Sequence, residues 1–248
     1  MPTGLPSTFS LGVTDGDPST LAWIEQTRSQ SGSCWDMHYQ YMTGGVNTGQ
    51  GWETWNEPRG QFATEWMNRA TSHALIPVMT YYEIVPSTPN AYDESKTLAK
   101  LQNNTLMRDY FENLELLLRK INARNVPVIL HVEPDMWGTI HASVFNTTNH
   151  PASVPVSVAS TGDPLLSGFA NNAVGFAQAI ASLRNQLAPK AILAIHWSHW
   201  ANNDLDHCSD CSQATVEFEL ARTIEFYNRL MTPLRWDLFF SDPDDRDA

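Results

Sequence analysis

Short apolar runs alternate with longer amphipathic stretches along this chain, and few folds accommodate that alternation. It is the pattern of repeated βα units laid around a parallel sheet. The apolar runs predict strands over Phe9–Thr14, Cys34–Tyr41, Ile76–Ile84, Val126–Val132, Ala191–Trp197 and Arg235–Phe240. Helices are expected over Ser19–Gln30, Gln61–Ala74, from Asp93 or Ser95 to Asn125, over Asn171–Leu187 and over Ser212–Met231. In the third of these, Leu106, Tyr110, Leu114 and Leu117 recur at helical spacing. Met136 to Gly168 reads as a loop too long for a plain connector, of a kind that is usually functional. The expectation is an α/β chain, a (β/α) TIM-like barrel forming a single catalytic domain over residues 1–248. About six strands are visible where a closed barrel has eight. The barrel is therefore expected to be incomplete or distorted, with an exposed edge beside the first or last strand.

A chain of 248 residues can bury a sizeable core without disulfides or metals. Its 15 Lys and Arg against 27 Asp and Glu, a net charge of -12, leave no basic footprint for nucleic acid or anionic lipid. No apolar run approaches the roughly 18 residues of a membrane span. Met1 to Ser10 carry no basic segment followed by an apolar one, so no signal peptide is expected in this chain. Cys208 and Cys211 form a Cys-x-x-Cys, which suits a small disulfide ring, a redox pair or half of a metal site, and Cys34 stands apart.

Reactive residues of such barrels lie at the C-terminal ends of the strands. That rule selects Asp15 and Asp17 on the first strand, and Trp35, Asp36, His38 and Tyr39 on the second. The third offers Tyr81, Tyr82 and Glu83, and the fourth His131, Glu133, Asp135 and Trp137. The fifth offers His196, Ser198 and His199, and the sixth Asp237, Asp242 and Asp244. The sharpest stretch is Val-Ile-Leu-His-Val-Glu-Pro-Asp-Met-Trp-Gly, residues 128–138. If the strand stays extended, His131, Glu133 and Asp135 share one face. Acids that end an apolar strand must occupy a polar pocket or titrate upward, and upward titration suits a general acid.

The apolar strand ending in Glu133-Pro134-Asp135 resembles one motif of the family-6 glycoside hydrolases, the cellulases and cellobiohydrolases. The resemblance implies a distorted barrel, Asp135 as general acid and Glu133 as its orienting neighbour. His199 matches a histidine of the next motif, whereas His196 stands where that family has an acid. The family's earlier aspartate-rich motif is replaced here by Tyr-Tyr-Glu-Ile-Val-Pro, with Glu83 the acid nearby. Asn56-Glu57-Pro58 echoes a second glycosidase signature, but it follows no apolar strand and reads as a loop.

Tryptophan, at nine residues, is abundant. Trp35, Trp52, Trp55, Trp137, Trp197 and Trp200 fall near predicted strand ends, where indole faces could stack on sugar rings; Trp23, Trp66 and Trp236 are expected in the core. The chain is thus expected to hydrolyse a neutral polysaccharide or oligosaccharide, cellulose-like or another β-glucan. Asp135 and Glu133 would be catalytic, with a base or nucleophile among Asp15, Glu83 and Asp242. Trp35, His38, Tyr82, His131, Trp137, His196, Trp197 and His199 would bind substrate. No cofactor or metal is required. Family resemblance implies a secreted protein. Two rival expectations are a glycan-binding barrel without turnover and a metal-dependent hydrolase. The latter would use His131, His196 and His199 with Glu133 and either Asp242 or Asp237.

Overall fold

Strands of a parallel sheet covered on both faces are largely apolar, and Val128–Val132 and Ala191–His196 follow that rule apart from His131 and His196, with every residue buried. A computed structural model describes residues 4–7, 9–14, 22–32, 35–202 and 211–241. Its strands are β1 (Gly12–Thr14), β2 (Met37–Thr43), β3 (Ile76–Tyr82), β4 (Val128–Val132), β5 (Ala191–His196) and β6 (Leu238–Phe240). Its helices are α1 (Ala22–Ser31), α2 (Gln61–Ser72), α3 (Thr97–Leu101), α4 (Asn104–Arg124), α5 (Pro134–Phe145), α6 (Ala173–Leu187) and α7 (Gln213–Leu230). All six strands are parallel and neighbour one another in chain order. That order is the winding of a (β/α) barrel rather than of a doubly wound sheet.

The sheet curls. Gly12, Val13 and Thr14 of β1 line the same cavity, about 340 Å³, as Phe240 of β6, together with Met37, Tyr39 and Val78. Among the described residues β1 and β6 do not pair, so the barrel stays open along that seam as expected.

Two apolar layers follow from the strand alternation. The inner one holds Val78, Ile129, Ile192 and Ala194, with Met37, Tyr39, Ile76, Leu238 and Phe240 against them. The outer one, between sheet and helices, takes the intervening strand residues Met79, Tyr81, Leu130, Val132, Leu193 and Ile195 with the apolar faces of α2, α4 and α6. Strand pairing sets side by side Tyr41, Thr80, His131, Ala194 and Leu238 of successive strands. This register carries the barrel interior toward its C-terminal mouth.

Several boundaries differ from expectation, the first and sixth strands starting three residues later than expected, at Gly12 and Leu238. The predicted loop from Met136 contains α5 and the 3-10 turns Pro151–Ser153, Ala159–Thr161 and Pro164–Leu166. Its Trp, Ile, Val and Phe side chains form the buried face of α5. The expected helix from Asp93 breaks into a 3-10 turn, α3 and α4, because Asn103 leaves the helix and caps the next one. Its side chain accepts from the amides of Thr105 at 3.0 Å and Leu106 at 3.2 Å. The second strand begins at Met37 rather than Cys34. Asn103→Ala should cost about 1 kcal/mol of stability, the usual worth of such a cap, read as a lower urea midpoint at unchanged slope.

Candidate active site

The end of β4 is built around a left-handed turn. Glu133 adopts φ 50°, ψ 67°, which is costly for a residue with a side chain. Hydrogen bonds hold it there. Its amide donates to the Tyr81 carbonyl at 2.8 Å. Its Oε1 accepts from the amides of Glu83 at 2.8 Å and Ile84 at 3.1 Å. Pro134 then starts α5 in its preferred first position. The Glu133 carboxyl reaches across to the end of β3, where it is fully buried. Asp135, in the first turn of α5, is left half-buried at the rim.

Asp135 lies against Tyr82, the last residue of β3. Burial, and then the Asp135 carboxylate, push the Tyr82 phenol far above its ordinary range. Tyr82 meets Tyr41 of β2 edge-on at 6.0 Å, and Tyr41 meets Tyr39 at 5.5 Å. On the other side, the loop after β5 rests on α5. A side chain at Gly138 would come within 2.5 Å of Trp200 and 2.7 Å of Ser198, so only glycine permits this approach. Trp200 remains 40% exposed there.

Below the mouth the interior is polar but closed. Thr80 Oγ1 lies 3.1 Å from His131 Nδ1, and His131 Nε2 lies 3.1 Å from His196 Nδ1. Phe240 stacks on His131 at 4.3 Å. Burial, and then His196, lower the His131 ring to about 3, so it is neutral at ordinary pH. Both of its nitrogens are engaged, which leaves neither for a metal ion. Asp237, a suggested partner of such a site, is ion-paired with Arg184 and accepts from the Leu193 amide at 2.8 Å. Among the described residues no group of three or more His, Cys, Asp or Glu is arranged to hold a metal.

Several other expected site residues sit elsewhere. Glu83 is fully buried, and burial followed by the neighbouring Glu133 and Glu53 holds its carboxyl well above the usual range. Burial likewise raises Glu133 to about 8. Glu53, on the 3-10 turn Trp52–Thr54, is a buried third acid of this group that sequence reasoning missed. His38 faces the helices and stacks on Trp66 at 3.8 Å. Trp137 is core, its indole N–H donating to the Val132 carbonyl at 2.8 Å, and Trp52 is core likewise, donating to Asn113 at 2.8 Å. Trp35 precedes β2, at the opposite end of the barrel, and donates to Thr27 at 3.2 Å. Trp197 lines a groove against α7 with Leu220, Tyr227 and Phe239. His199 opens the 3-10 turn His199–Ala201 beyond β5 and is half-buried. Asp15 and Asp242 lie outside the described residues. Glu57 is exposed in the turn before α2, in keeping with a loop. Cys211 is disulfide-bonded, and its candidate partners Cys34 and Cys208 lie outside the described residues. Among the described residues no helix is long and apolar enough to cross a membrane.

No protein-family model matches the chain, and no curated protein matches it in sequence. Solved structures do align with it. A β-mannanase from a symbiotic protist of the termite Reticulitermes speratus, complexed with gluco-manno-oligosaccharide, aligns over 94% of this chain and 78% of its own, at 12% identity and a TM-score of 0.40. A β-glycosidase from Pyrococcus horikoshii aligns over 98% of this chain and 62% of its own, at 11% identity and a TM-score of 0.43. This chain therefore spans less than two thirds of the second protein. The resemblance to family 6 stays confined to Glu133-Pro134-Asp135 and its flanks.

Proposed function

We propose that the chain is a glycoside hydrolase acting on neutral β-linked polysaccharide or oligosaccharide, with Asp135 as general acid. The observation that carries this reading is the position of Asp135. It is a half-buried carboxylate at the mouth of a parallel barrel, beside the Tyr82 hydroxyl and an exposed tyrosine edge. A group so placed can deliver a proton to a glycosidic oxygen while neighbouring rings hold the sugar. Glu133 would act as a positioning residue: by binding two amides at the end of β3 it fixes Tyr82 and Asp135 relative to each other.

Hydrolysis also needs a second carboxylate. Glu83 and Glu133 are fully buried, so that role is assigned to Asp15, next in sequence to β1, or Asp242, two positions past β6. The same burial favours the second reading, a glycan-binding barrel without turnover. Reducing-end release from cello-oligosaccharides, mixed-linkage β-glucan and β-mannan separates the two. Cleavage of at least one is expected; binding with no cleavage of any would replace hydrolysis by recognition. The disulfide at Cys211 supports a secreted protein, because such bonds persist in oxidising compartments.

A further inference from the structure

We infer that Tyr41 is the stacking platform of a sugar subsite adjoining Asp135, and that its ligand is a neutral hexose ring presenting its C–H face. This rests on the glycosidase reading of the same mouth and adds the residue that grips the substrate.

Of the tryptophans suggested by the sequence, Trp52 and Trp137 are buried, Trp35 lies at the far end of the barrel, and Trp200 is 40% exposed on the α5 side of the mouth. The inward face of β2 adds an aromatic surface on the Tyr82 side. Met37, Tyr39 and Tyr41 alternate toward the barrel axis, and Tyr41 is the last of the three before the mouth. Thr80, its partner on β3, is small and does not crowd the ring from that side. Tyr41 is 40% exposed, an unusual state for an aromatic residue on a barrel's inner face. Tyr39 and Tyr82 contact it at interplanar angles of 85° and 77°, which fixes the orientation of the ring. A rigid, partly exposed aromatic plane is what the apolar face of a pyranose stacks on, with little entropy lost on binding. Tyr82 bridges this platform to Asp135, so a ring seated on Tyr41 lies one aromatic neighbour away from the acid. The adjacent carboxylate disfavours uronic or sulfated sugars.

The test is calorimetric titration with cello- and manno-oligosaccharides of the Asp135→Asn protein, in which turnover is suppressed, carrying in addition Tyr41→Phe or Tyr41→Ala. Circular dichroism and thermal melting verify that each variant is folded. Tyr41→Phe should bind within about twofold of its parent. Tyr41→Ala should bind roughly five- to tenfold more weakly, the worth of one stacking contact. Equal affinity in Tyr41→Ala would overturn the platform, and so would an equal loss in Tyr41→Phe, which would assign the effect to the hydroxyl. Either result leaves the hydrolase reading standing if the unsubstituted protein still cleaves glycan. Absence of both binding and cleavage in the unsubstituted protein would remove the two together.

Discussion

Asp135→Asn is expected to lower turnover of an unactivated oligosaccharide by about 10³-fold, within the range general acid catalysis supplies. Asparagine matches the carboxylate in shape and can keep a hydrogen bond to Tyr82, but it has no proton to give to the departing sugar oxygen. KM should therefore change little while kcat falls, the signature of an interaction used only in the transition state. The leaving group provides a sharper readout. An aryl glycoside whose phenolate departs without protonation should be cleaved by Asp135→Asn at a rate much closer to that of the unsubstituted protein. Equal losses on both substrates would point to a nucleophile or to damaged binding instead of an acid. Unchanged hydrolysis of the oligosaccharide would remove Asp135 from the mechanism.

The parallel sheet was legible because its central strands are mostly apolar on both faces, as in Val128–Val132, where His131 is the single polar residue. The rim was less legible, for reasons that individual residues make plain. Period-two alternation would carry Glu133 and Asp135 onto the face of His131, but the left-handed conformation of Glu133 ends the alternation one residue early. The partners that stabilise that turn, the Tyr81 carbonyl and the amides of Glu83 and Ile84, lie about fifty positions away, and local sequence does not encode partners so distant. Trp52 could be buried because Asn113, sixty-one positions away, accepts its indole N–H, whereas that of Trp137 finds the carbonyl of Val132 only five positions back. His38 is different. Its neighbours Met37, Tyr39 and Tyr41 form the inward stripe of β2, so alternation alone already assigns His38 to the helix side. The same stripe marks Tyr41 as a mouth residue, a signal that the abundance of tryptophan obscured.

Glu133 should dominate the pH dependence of stability, and its two substitutions should behave in opposite ways. Burial raises its folded pKa to about 8 from an ordinary 4.5, so the stability it lends is complete below about pH 4.5 and drains as the pH climbs through 8. Glu83, raised in the same direction, adds to the loss. His131 and His141 work the other way. Burial lowers them to about 3 and about 4, so their contribution is complete above about pH 6.5 and drains as the pH falls. The opposing slopes should offset one another between about pH 4.5 and 6.5, leaving the acids unopposed above that. Urea denaturation at pH 6.5 and pH 8 should thus show a loss on the alkaline side. Glu133→Gln keeps an oxygen for the two amides and removes the ionisation, so its loss between those pH values should be smaller by about 2 kcal/mol. Glu133→Ala removes the acceptor and strands two buried amides, which should cost roughly 2–5 kcal/mol even at pH 5.5, where the unsubstituted protein is on its plateau. An alkaline loss as large in Glu133→Gln as in the parent would mean that Glu133 is already ionised at pH 6.5. A Glu133→Ala protein as stable as the parent would mean that its hydrogen bonds do not hold the ends of β3 and β4 together.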